Sequence, residues 1–357
     1  MLIFHSTENP TRTYNYNSST NPLQVLLSVL YGSTRMFNQV WLMLIITNTL
    51  TFKDKMDVLK DYEHKSNNLR FRNIDELNGK LKKMTQDSRE SLQVITDFDY
   101  TLSKYHDGDG VRLGSSWFFV ENSPLLPLSY REKTKKLHDT YHPIEVDPKL
   151  SIEEKIPHME EWYRKIIILI TEYITDEKHF KEAIKDISKL QLRDGAPEFI
   201  RQLYNNHIPL LVFSAGFGEI IKNLLIQRDL LHSEYTKMHS NFLEFDQTSK
   251  KIIGVKEPVI HVFNKNGGAY IASTPPKETE EIRKRKNILL LGDSMGDLSM
   301  SHGIDGANEN ESTIIKIGFL NHNIDDFIDR YIKEYDVVII DDQTMNFPLH
   351  ILRLFKI

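Results

Sequence analysis

Three short polar segments carry residue types that could act on an anionic substrate. Asp97-Phe-Asp-Tyr-Thr101 places two carboxylates two residues apart, Ser214-Ala-Gly216 offers a hydroxyl with backbone amides, and Gly292-Asp-Ser-Met-Gly-Asp297 adds a second acidic pair. An aspartate-rich turn often does no more than satisfy its own backbone, so Asp-x-Asp-x-Thr alone is a weak signal. Together, the three segments predict one polar site at an edge of a sheet.

Apolar runs directly before these segments predict the strands that must position them. The runs are Leu92–Thr96, Pro209–Phe213 and Asn287–Leu291, with a fourth run at Val337–Ile340. Short continuous apolar strands separated by helical segments are typical of a parallel sheet that is covered on both faces. Ligands bind such sheets beyond the carboxyl ends of the strands. The pattern therefore predicts an α/β fold with a doubly wound parallel sheet.

A long insertion separates the first predicted strand from the second. About 110 residues lie between Thr96 and Pro209, far more than a crossover connection needs. Ser151-Ile-Glu-Glu154 has the spacing of a helix capping box, and apolar residues recur at helical spacing after it. The insertion is therefore predicted to form a helical cap. Further helices are predicted over Leu128–Tyr141 and Asp176–Leu190, and an irregular loop over Ser115–Pro127.

The N-terminal segment differs from the rest of the chain. Between Thr13 and Phe52 the only formal charge is Arg35, yet the apolar run from Val40 is far shorter than the roughly 20 residues that cross a membrane. Two interpretations stay open: a segment that contacts a membrane, or a poorly ordered extension. The predicted domains are an extension (1–60), an α/β core (61–103 and 191–357) and a helical cap (104–190).

Composition excludes several classes of protein. The 357 residues include 45 basic and 50 acidic side chains, and the net charge of −5 argues against binding a nucleic-acid polymer, because phosphate backbones attract concentrated positive charge. The chain contains no cysteine, which excludes disulfides, cysteine-ligated zinc, iron–sulfur clusters and a thiol nucleophile.

The order and spacing of the polar segments resemble the haloacid dehalogenase superfamily of phosphohydrolases. Further segments resemble one family within it, the cytosolic 5′-nucleotidase III (pyrimidine 5′-nucleotidase) family, from about residue 75 to the C-terminus. The N-terminal extension lies outside the resemblance. The matching segments are Asp97-Phe-Asp-Tyr-Thr-Leu-Ser103, Ile144-Glu-Val-Asp-Pro148, Glu161-Trp-Tyr163, Val212-Phe-Ser-Ala-Gly216, Ser240-Asn-Phe242, Ile260-His-Val-Phe-Asn-Lys265, Ile288-Leu-Leu-Leu-Gly-Asp-Ser294 and Lys316-Ile-Gly-Phe-Leu-Asn321.

This resemblance implies hydrolysis of a phosphoester with the help of magnesium. Asp97 would be the nucleophile that forms an aspartyl-phosphate, and Asp99 would protonate the leaving oxygen and then activate water. The metal would be held by the side chain of Asp97, the main-chain carbonyl of Asp99 and the side chain of Asp293, with Asp297 as a further ligand or a supporting residue. Oxygen donors of this kind favour magnesium over zinc.

The resemblance also implies a binding site for the phosphoryl group. A helix expected to begin near Phe217 would leave free amides at its start, where anions bind. Lys265 would neutralise the phosphoryl charge, and Lys256 is the competing lysine. The predicted phosphate-binding residues are Ser214, Ala215, Gly216 and Lys265.

We expect residues of the cap to select the substrate. Glu145 matches a family glutamate that contacts the nucleoside, and Trp162 or Tyr163 could stack on a base, although packing inside the cap is the alternative for at least one of these aromatic residues. The implied substrates are pyrimidine nucleoside monophosphates such as CMP and UMP, or 7-methylguanosine monophosphate, with transfer of phosphate to a nucleoside as a further activity. The family implies a cytoplasmic enzyme, and we expect a monomer.

Two alternatives to this function stay open. The core motifs specify the reaction and not the leaving group, so a phosphatase for another small phosphomonoester fits as well. A membrane-tethered binding protein with a decayed site is the second alternative. Intact aspartates, serine and lysine at the predicted positions argue against decay.

Overall fold

The computed structural model describes Leu59 and residues 67–147, 149–187, 189–232, 234–304 and 312–357. The predictions of a membrane contact or a poorly ordered segment at the N-terminus lie outside this part of the chain. None of the helices it describes is long and apolar enough to span a membrane.

The described strands are β1 (Leu69–Phe71), β2 (Leu92–Thr96), β3 (Leu210–Phe217), β4 (Thr236–Asn241), β5 (Leu243–Phe245), β6 (Ile252–Val255), β7 (Asn287–Gly292), β8 (Thr313–Leu320) and β9 (Val337–Ile340). Seven of them form one sheet in the order β1-β9-β8-β7-β2-β3-β4. Neighbouring strands in this sheet are parallel, except that β1 is antiparallel to β9. The strands β5 and β6 form a separate antiparallel pair.

Helices cover both faces of the sheet and fill the insertion. Ile288 and Leu290 of β7 pack in one apolar cluster with residues of the helices that follow β6, whereas the alternate residues Leu289 and Leu291 are buried on the opposite face. The prediction of a doubly wound parallel sheet is confirmed. The helices are α1 (Ile74–Gln86), α2 (Ser116–Glu121), α3 (Leu128–Val146), α4 (Ile152–Tyr173), α5 (Glu177–Ala183), α6 (Ala196–Asn205), α7 (Gly218–Gln227), α8 (Gly267–Ser273), α9 (Pro276–Arg283), α10 (Ile324–Glu334) and α11 (Asn346–Leu354).

The inserted segment between β2 and β3 contains α2 to α5. The predicted capping box at the start of α4 is present: the Ser151 side chain accepts a hydrogen bond from the Glu154 amide, and the Glu154 carboxylate accepts one from the Ser151 amide. The two ends of the insertion are joined where they meet the core. The Lys104 amide donates to the Gln191 carbonyl (2.8 Å), and the Arg193 amide donates to the Leu102 carbonyl (2.9 Å).

Two local predictions were wrong. The segment Ser115–Pro127 is not entirely an irregular loop, because α2 lies within it. The helix predicted over Asp176–Leu190 ends at Ala183, and the apolar residues beyond it owe their spacing to burial rather than to a helix. The helix expected to begin near Phe217 is α7, which starts at Gly218 with Phe217 as its N-cap residue, directly after β3.

Strand register brings the polar segments to one point on the sheet. Thr96 at the end of β2 is opposite Val212 of β3 and Leu291 of β7. The next residue, Asp97, therefore lies beside the ends of both neighbouring strands. The chain continues from β2 toward β4 on one side and from β7 toward β9 on the other, so the boundary between β2 and β7 is the switch point at which ligands bind such sheets.

Candidate active site

A buried lysine joins two of the aspartates beyond the strand ends. The Lys265 Nζ lies 2.5 Å from Asp97 Oδ1 and 2.7 Å from Asp297 Oδ1. Burial by itself would lower the pKa of Lys265, but the charges of Asp297 and Asp97 outweigh it and raise the pKa above its usual range. Lys265 therefore carries a fixed positive charge beside the predicted nucleophile. The competing lysine, Lys256, instead lies over the Phe242 ring, 5.9 Å from its centroid.

Asp97, Asp293 and Asp297 form a group that fits a hard metal ion. One carboxylate oxygen from each lies within 4.8 Å of the others, and divalent cations such as magnesium prefer oxygen ligands grouped in this way. Burial raises the pKa of Asp97 to about 7, although Lys265 opposes the shift. Burial and the neighbouring carboxylates Asp97 and Asp297 likewise raise the pKa of Asp293. A cation at this place would relieve the crowding of buried negative charge.

Both carboxylate oxygens of Asp297 accept hydrogen bonds. Its Oδ2 accepts hydrogen bonds from the amides of Asp293 (3.1 Å) and Ser294 (2.9 Å) and from the Ser294 hydroxyl (2.9 Å). Its Oδ1 accepts from Lys265. These contacts hold the turn after β7 and the lysine together, which is what a supporting residue of a metal site does.

The side chain of Asp99 is held by the first residue of α2. Asp99 Oδ1 accepts from the Ser116 amide (2.7 Å), and Oδ2 accepts from the Ser116 hydroxyl (2.6 Å). The same hydroxyl accepts from the Phe217 amide at 2.9 Å. Burial raises the pKa of Asp99, and the hydrogen bonds from Ser116 partly oppose this shift. Ser116 thus joins the cap, the turn after β2 and the end of β3.

The end of β3 packs closely against Asp99 and Ser116. Ser214 is fully buried, and its Oγ accepts from the Gly216 amide at 3.0 Å. A Cβ atom at Gly216 would lie 2.2 Å from Ser116 Oγ, 2.6 Å from Asp99 Oδ2 and 2.9 Å from Ser214 Oγ. Glycine is therefore required at this position. The carbonyl of Ala215 accepts hydrogen bonds from the Trp117 indole and from the Asn241 side-chain amide, both at 2.9 Å.

A buried arginine fixes the backbone that follows the Asp-x-Asp motif. Arg193 Nε donates to the Thr101 carbonyl (2.7 Å), and Nη2 donates to the Tyr100 carbonyl (2.6 Å) and to Asn321 Oδ1 (2.7 Å). Tyr100 has a φ of 61°, which is strained for a residue with a side chain. The arginine, which is fully buried, stabilises this conformation and with it the direction of Asp97 and Asp99.

The predicted cap residues divide into two groups. Trp162 is buried and stacks on Tyr141 with ring centroids 6.0 Å apart, so for Trp162 the packing alternative fits the contacts. Tyr163 packs edge-on against Trp117 at 5.1 Å. Burial raises the pKa of the Tyr163 hydroxyl, and the charges of Glu145, Lys265 and Asp99 also act on it. Tyr163 and Glu145 stay predicted base-binding residues of the cap.

Sequence reasoning missed Ser116, Trp117 and Arg193. The two cap residues lie in the segment predicted to be a loop, and their contacts with Asp99 and Ala215 arise from the packing of the insertion on the core. Arg193 follows the insertion directly. Arg193 and Asp194 stand together between Leu192 and Ala196, and charged residues in such a turn are usually exposed, so the local sequence carries no signal for a buried cation.

Removing the Ser116 hydroxyl should slow catalysis while substrate binding persists. In Ser116→Ala, Asp99 loses its hydrogen bond from the hydroxyl and is oriented less well, so we expect kcat to fall roughly tenfold with little change in KM. The pH profile of kcat should shift as well, because the bond from Ser116 favours the charged form of Asp99. The steady-state rate of phosphate release from pH 5 to 9 measures both effects.

The matched control for this variant is Ser115→Ala. Ser115 precedes α2, and its side chain makes no capping hydrogen bond. Its removal should leave kcat and the pH profile unchanged. Equal effects of the two substitutions would contradict a positioning role for the Ser116 hydroxyl.

Comparisons with known proteins give a consistent result. The family model described as "Pyrimidine 5′-nucleotidase (UMPH-1)" matches residues 100–356. The 7-methylguanosine phosphate-specific 5′-nucleotidase A of Xenopus laevis is 38% identical over 281 residues, which are 78% of this chain and 92% of that protein. The human 7-methylguanosine phosphate-specific 5′-nucleotidase is 35% identical over 273 residues, 76% of this chain and 86% of that protein.

The similarity to known proteins includes the fold, as a match to a solved structure shows. The crystal structure of cytosolic 5′-nucleotidase IIIB (cN-IIIB) bound to cytidine matches with a TM-score of 0.73 and 32% sequence identity, and covers 84% of this chain and 97% of that one. The sheet order, the insertion after β2 and the aspartates at the strand ends thus agree with the resemblance found in the sequence motifs. The chain belongs to the pyrimidine 5′-nucleotidase (UMPH-1) family of the haloacid dehalogenase superfamily.

Proposed function

We propose that the protein hydrolyses nucleoside 5′-monophosphates to nucleoside and phosphate, with Asp97 as the nucleophile. The observation that carries this proposal is the buried group in which Lys265 bridges Asp97 and Asp297 beside Asp293. Such a group places a carboxylate where it can attack phosphorus and surrounds it with the positive charge that two reacting anions need. Relatives named 7-methylguanosine phosphate-specific 5′-nucleotidases support the choice of a nucleoside monophosphate.

In the first half of the reaction, an Asp97 oxygen forms a bond to phosphorus and the bond from phosphorus to the 5′-oxygen breaks. Asp99 donates its proton to the leaving oxygen, so that the nucleoside departs as an alcohol. The Ser116 hydrogen bonds hold Asp99 in place for this transfer. Ser214, the amides of Ala215 and Gly216, and Lys265 would bind the phosphoryl oxygens, with the Gly216 amide exchanging its hydrogen bond to Ser214 Oγ for one to the phosphate.

In the second half, water replaces the nucleoside as the reacting group. Asp99, now ionised, accepts a proton from the water as its oxygen bonds to phosphorus, and the bond to Asp97 breaks to release inorganic phosphate. A nucleoside hydroxyl that takes the place of water would accept the phosphoryl group instead. This exchange is the basis for proposing a phosphotransferase activity beside hydrolysis.

Magnesium is the cofactor that suits the donor set. Asp97, Asp293 and the carbonyl of Asp99 would hold the ion, which would screen the repulsion between the carboxylate and the phosphate. Asp297 would support these ligands through its hydrogen bonds to the Asp293 amide and Lys265. The proposed substrates are the pyrimidine monophosphates CMP and UMP and 7-methylguanosine monophosphate.

Phosphate release from a panel of monophosphates tests the proposal. The panel contains CMP, UMP, 7-methylguanosine monophosphate and a phosphomonoester without a base, such as phosphoserine, each with magnesium and with a chelator. We expect hydrolysis of at least one nucleotide, loss of activity with chelator and recovery with magnesium. A preference for phosphoserine would favour the broader phosphatase alternative. Normal rates of hydrolysis in a metal-free sample would contradict the metal-binding role proposed for Asp97, Asp99 and Asp293.

A further inference from the structure

The regular pairing of β3 with β4 is interrupted where β3 reaches the site. Phe213 is opposite His239, but Phe217 is opposite Asn241, so four steps along β3 correspond to two steps along β4. Residues 214–216 therefore leave the regular ladder. Bulges of this kind often redirect residues next to active sites, and backbone groups that leave a ladder need other partners where they are buried.

Side chains at the end of β4 supply such partners. Ser240 Oγ donates a hydrogen bond to the Gly216 carbonyl at 2.9 Å, and Asn241 Nδ2 donates one to the Ala215 carbonyl at 2.9 Å. Ser240 and Asn241 are both buried. They belong to a segment that resembles the family but has no part in the proposed reaction, so their contacts call for another role.

The held carbonyls fix the direction of the amides that follow them. A peptide unit is planar and trans, so its C=O and N–H bonds point in opposite directions. With the Ala215 carbonyl held, the Gly216 amide points to Ser214 Oγ at 3.0 Å. With the Gly216 carbonyl held, the Phe217 amide points to Ser116 Oγ at 2.9 Å. The direction of the Gly216 amide, which is proposed to bind a phosphoryl oxygen, thus depends on the side chains at the end of β4.

Asn241 also holds the segment that leads to Lys265. Its Oδ1 accepts a hydrogen bond from the Ile260 amide, and its Nδ2 donates one to the Ile260 carbonyl, both at 2.8 Å. The side chain of Asn264 then bonds two backbone groups earlier in the same segment, also at 2.8 Å. Together with its bond to Ala215, the carboxamide of Asn241 uses its oxygen and both of its N–H donors.

The bonds of Asn241 therefore reach both sides of the proposed phosphate site. One side is the strand end that carries Ser214 and the amides after it. The other is the segment that ends at Lys265, whose Nζ lies 2.5 Å from Asp97 Oδ1. We infer that Asn241, supported by Ser240, is a positioning residue that sets the placement of the phosphate-binding amides relative to Lys265. This inference deepens the proposed function and rests on it.

Asn241→Ala removes the side chain that joins the two sides, and binding of inorganic phosphate tests the effect. We expect the Kd of phosphate, titrated calorimetrically into the protein with magnesium, to rise roughly tenfold or more, because misplaced groups bind poorly. For the best nucleotide, kcat/KM should fall about 10²-fold. The Kd of the corresponding nucleoside, which carries no phosphate, should change by less than about twofold, because it does not occupy the phosphate site.

The matched control is Asn287→Ala. Asn287 is fully buried in the same sheet, but it is the first residue of β7, at the end of the strand away from the site, and its Nδ2 donates to Asp87 Oδ2 at 3.3 Å. Its replacement should lower the thermal unfolding temperature and leave the Kd of phosphate within about twofold of the wild-type value. Thermal unfolding of each variant reports on its fold.

Ser240→Ala is a milder variant that decides the question if Asn241→Ala does not fold. It removes one hydrogen bond, to the Gly216 carbonyl, and should weaken phosphate binding roughly threefold or more. Ser214→Ala removes a proposed phosphate ligand and should weaken binding as well, which identifies the titrated site as the one described.

The outcomes separate this inference from the proposed function. Wild-type phosphate affinity in folded Asn241→Ala, or in Ser240→Ala if the first variant does not fold, would overturn the inference, while hydrolysis by the wild-type protein would still support the proposed function. Equal weakening of phosphate and nucleoside binding would indicate a general structural role and would overturn it too. If phosphate binding is weakened as expected but the wild-type protein hydrolyses no nucleotide, the inference holds and only the proposed function fails. A wild-type protein that binds no phosphate would contradict both.

Discussion

Replacement of Asp97 with asparagine should lower kcat by roughly four orders of magnitude or more. An amide has nearly the same shape as a carboxylate but is a poor nucleophile, so the aspartyl-phosphate should not form. Substrate binding should persist, because Ser214 and Lys265 are unchanged. Single-turnover measurements with the best nucleotide, and a search for phosphorylated protein by mass spectrometry, check both parts of this expectation.

With both proteins in chelator, the thermal unfolding temperature of Asp97→Asn should be at least as high as that of the wild-type protein. The buried carboxyl groups of Asp97 and Asp297 share the charge of Lys265, and the half-buried Asp293 lies beside them. Removal of one negative charge relieves their repulsion, as expected where stability is given up for catalysis. Asp109→Asn, in an exposed loop, is the matched control and should retain full activity. A folded Asp97→Asn protein with near wild-type turnover would place the nucleophile elsewhere.

Lys265→Met should lower both activity and stability. The positive charge beside Asp97 is lost, and we expect kcat to fall about 10²- to 10³-fold, as for other groups that stabilise charge in a transition state. Two buried carboxylates, Asp97 and Asp297, are left without their common partner, which should cost roughly 3–5 kcal/mol of unfolding free energy. Phosphate release and urea unfolding of the purified variant measure the two effects.

Lys256→Met is the matched control for this variant. Lys256 is the lysine that sequence reasoning could not exclude, and its Nζ contacts the Phe242 ring instead of the aspartates. Its replacement should leave kcat within about twofold and change stability only slightly, as is usual for a surface position. If Lys256→Met were inactive and Lys265→Met active, the assignment of the phosphate-binding lysine would be reversed.

The central strands could be predicted because their residues are buried on both faces. Leu92–Thr96 is a short, largely apolar run and Val337–Ile340 a continuous one, and both are strands with the predicted bounds. In contrast, β4 includes Lys237, His239 and Asn241, and this polar edge strand is formed by its pairing with β3. Local residue pattern alone carries no signal for such a strand.

Some residues of the site could also be predicted from the local sequence, whereas others are brought there only by packing. Asp97 and Ser214 directly follow predicted strands, and Asp293 follows the third after one glycine, so the topology of a parallel sheet brings them together. Lys265 could be identified only through the family resemblance, since a lysine in a polar segment is usually exposed. Ser116 acts on Asp99 from a helix 17 residues away, and only the folding of the cap onto the core reveals that contact.

Because the two ends of the insertion are joined, much of the cap can change during evolution without moving the core. Hydrogen bonds between Lys104 and Gln191 and between Leu102 and Arg193 hold the entry and exit of the insertion side by side. The entropy of closing the intervening loop grows only slowly with its length. Changes in the cap beyond α2 therefore leave both the strand ends and the contact between Ser116 and Asp99 in place. The bound nucleoside can then change while the residues that act on the phosphoester stay the same.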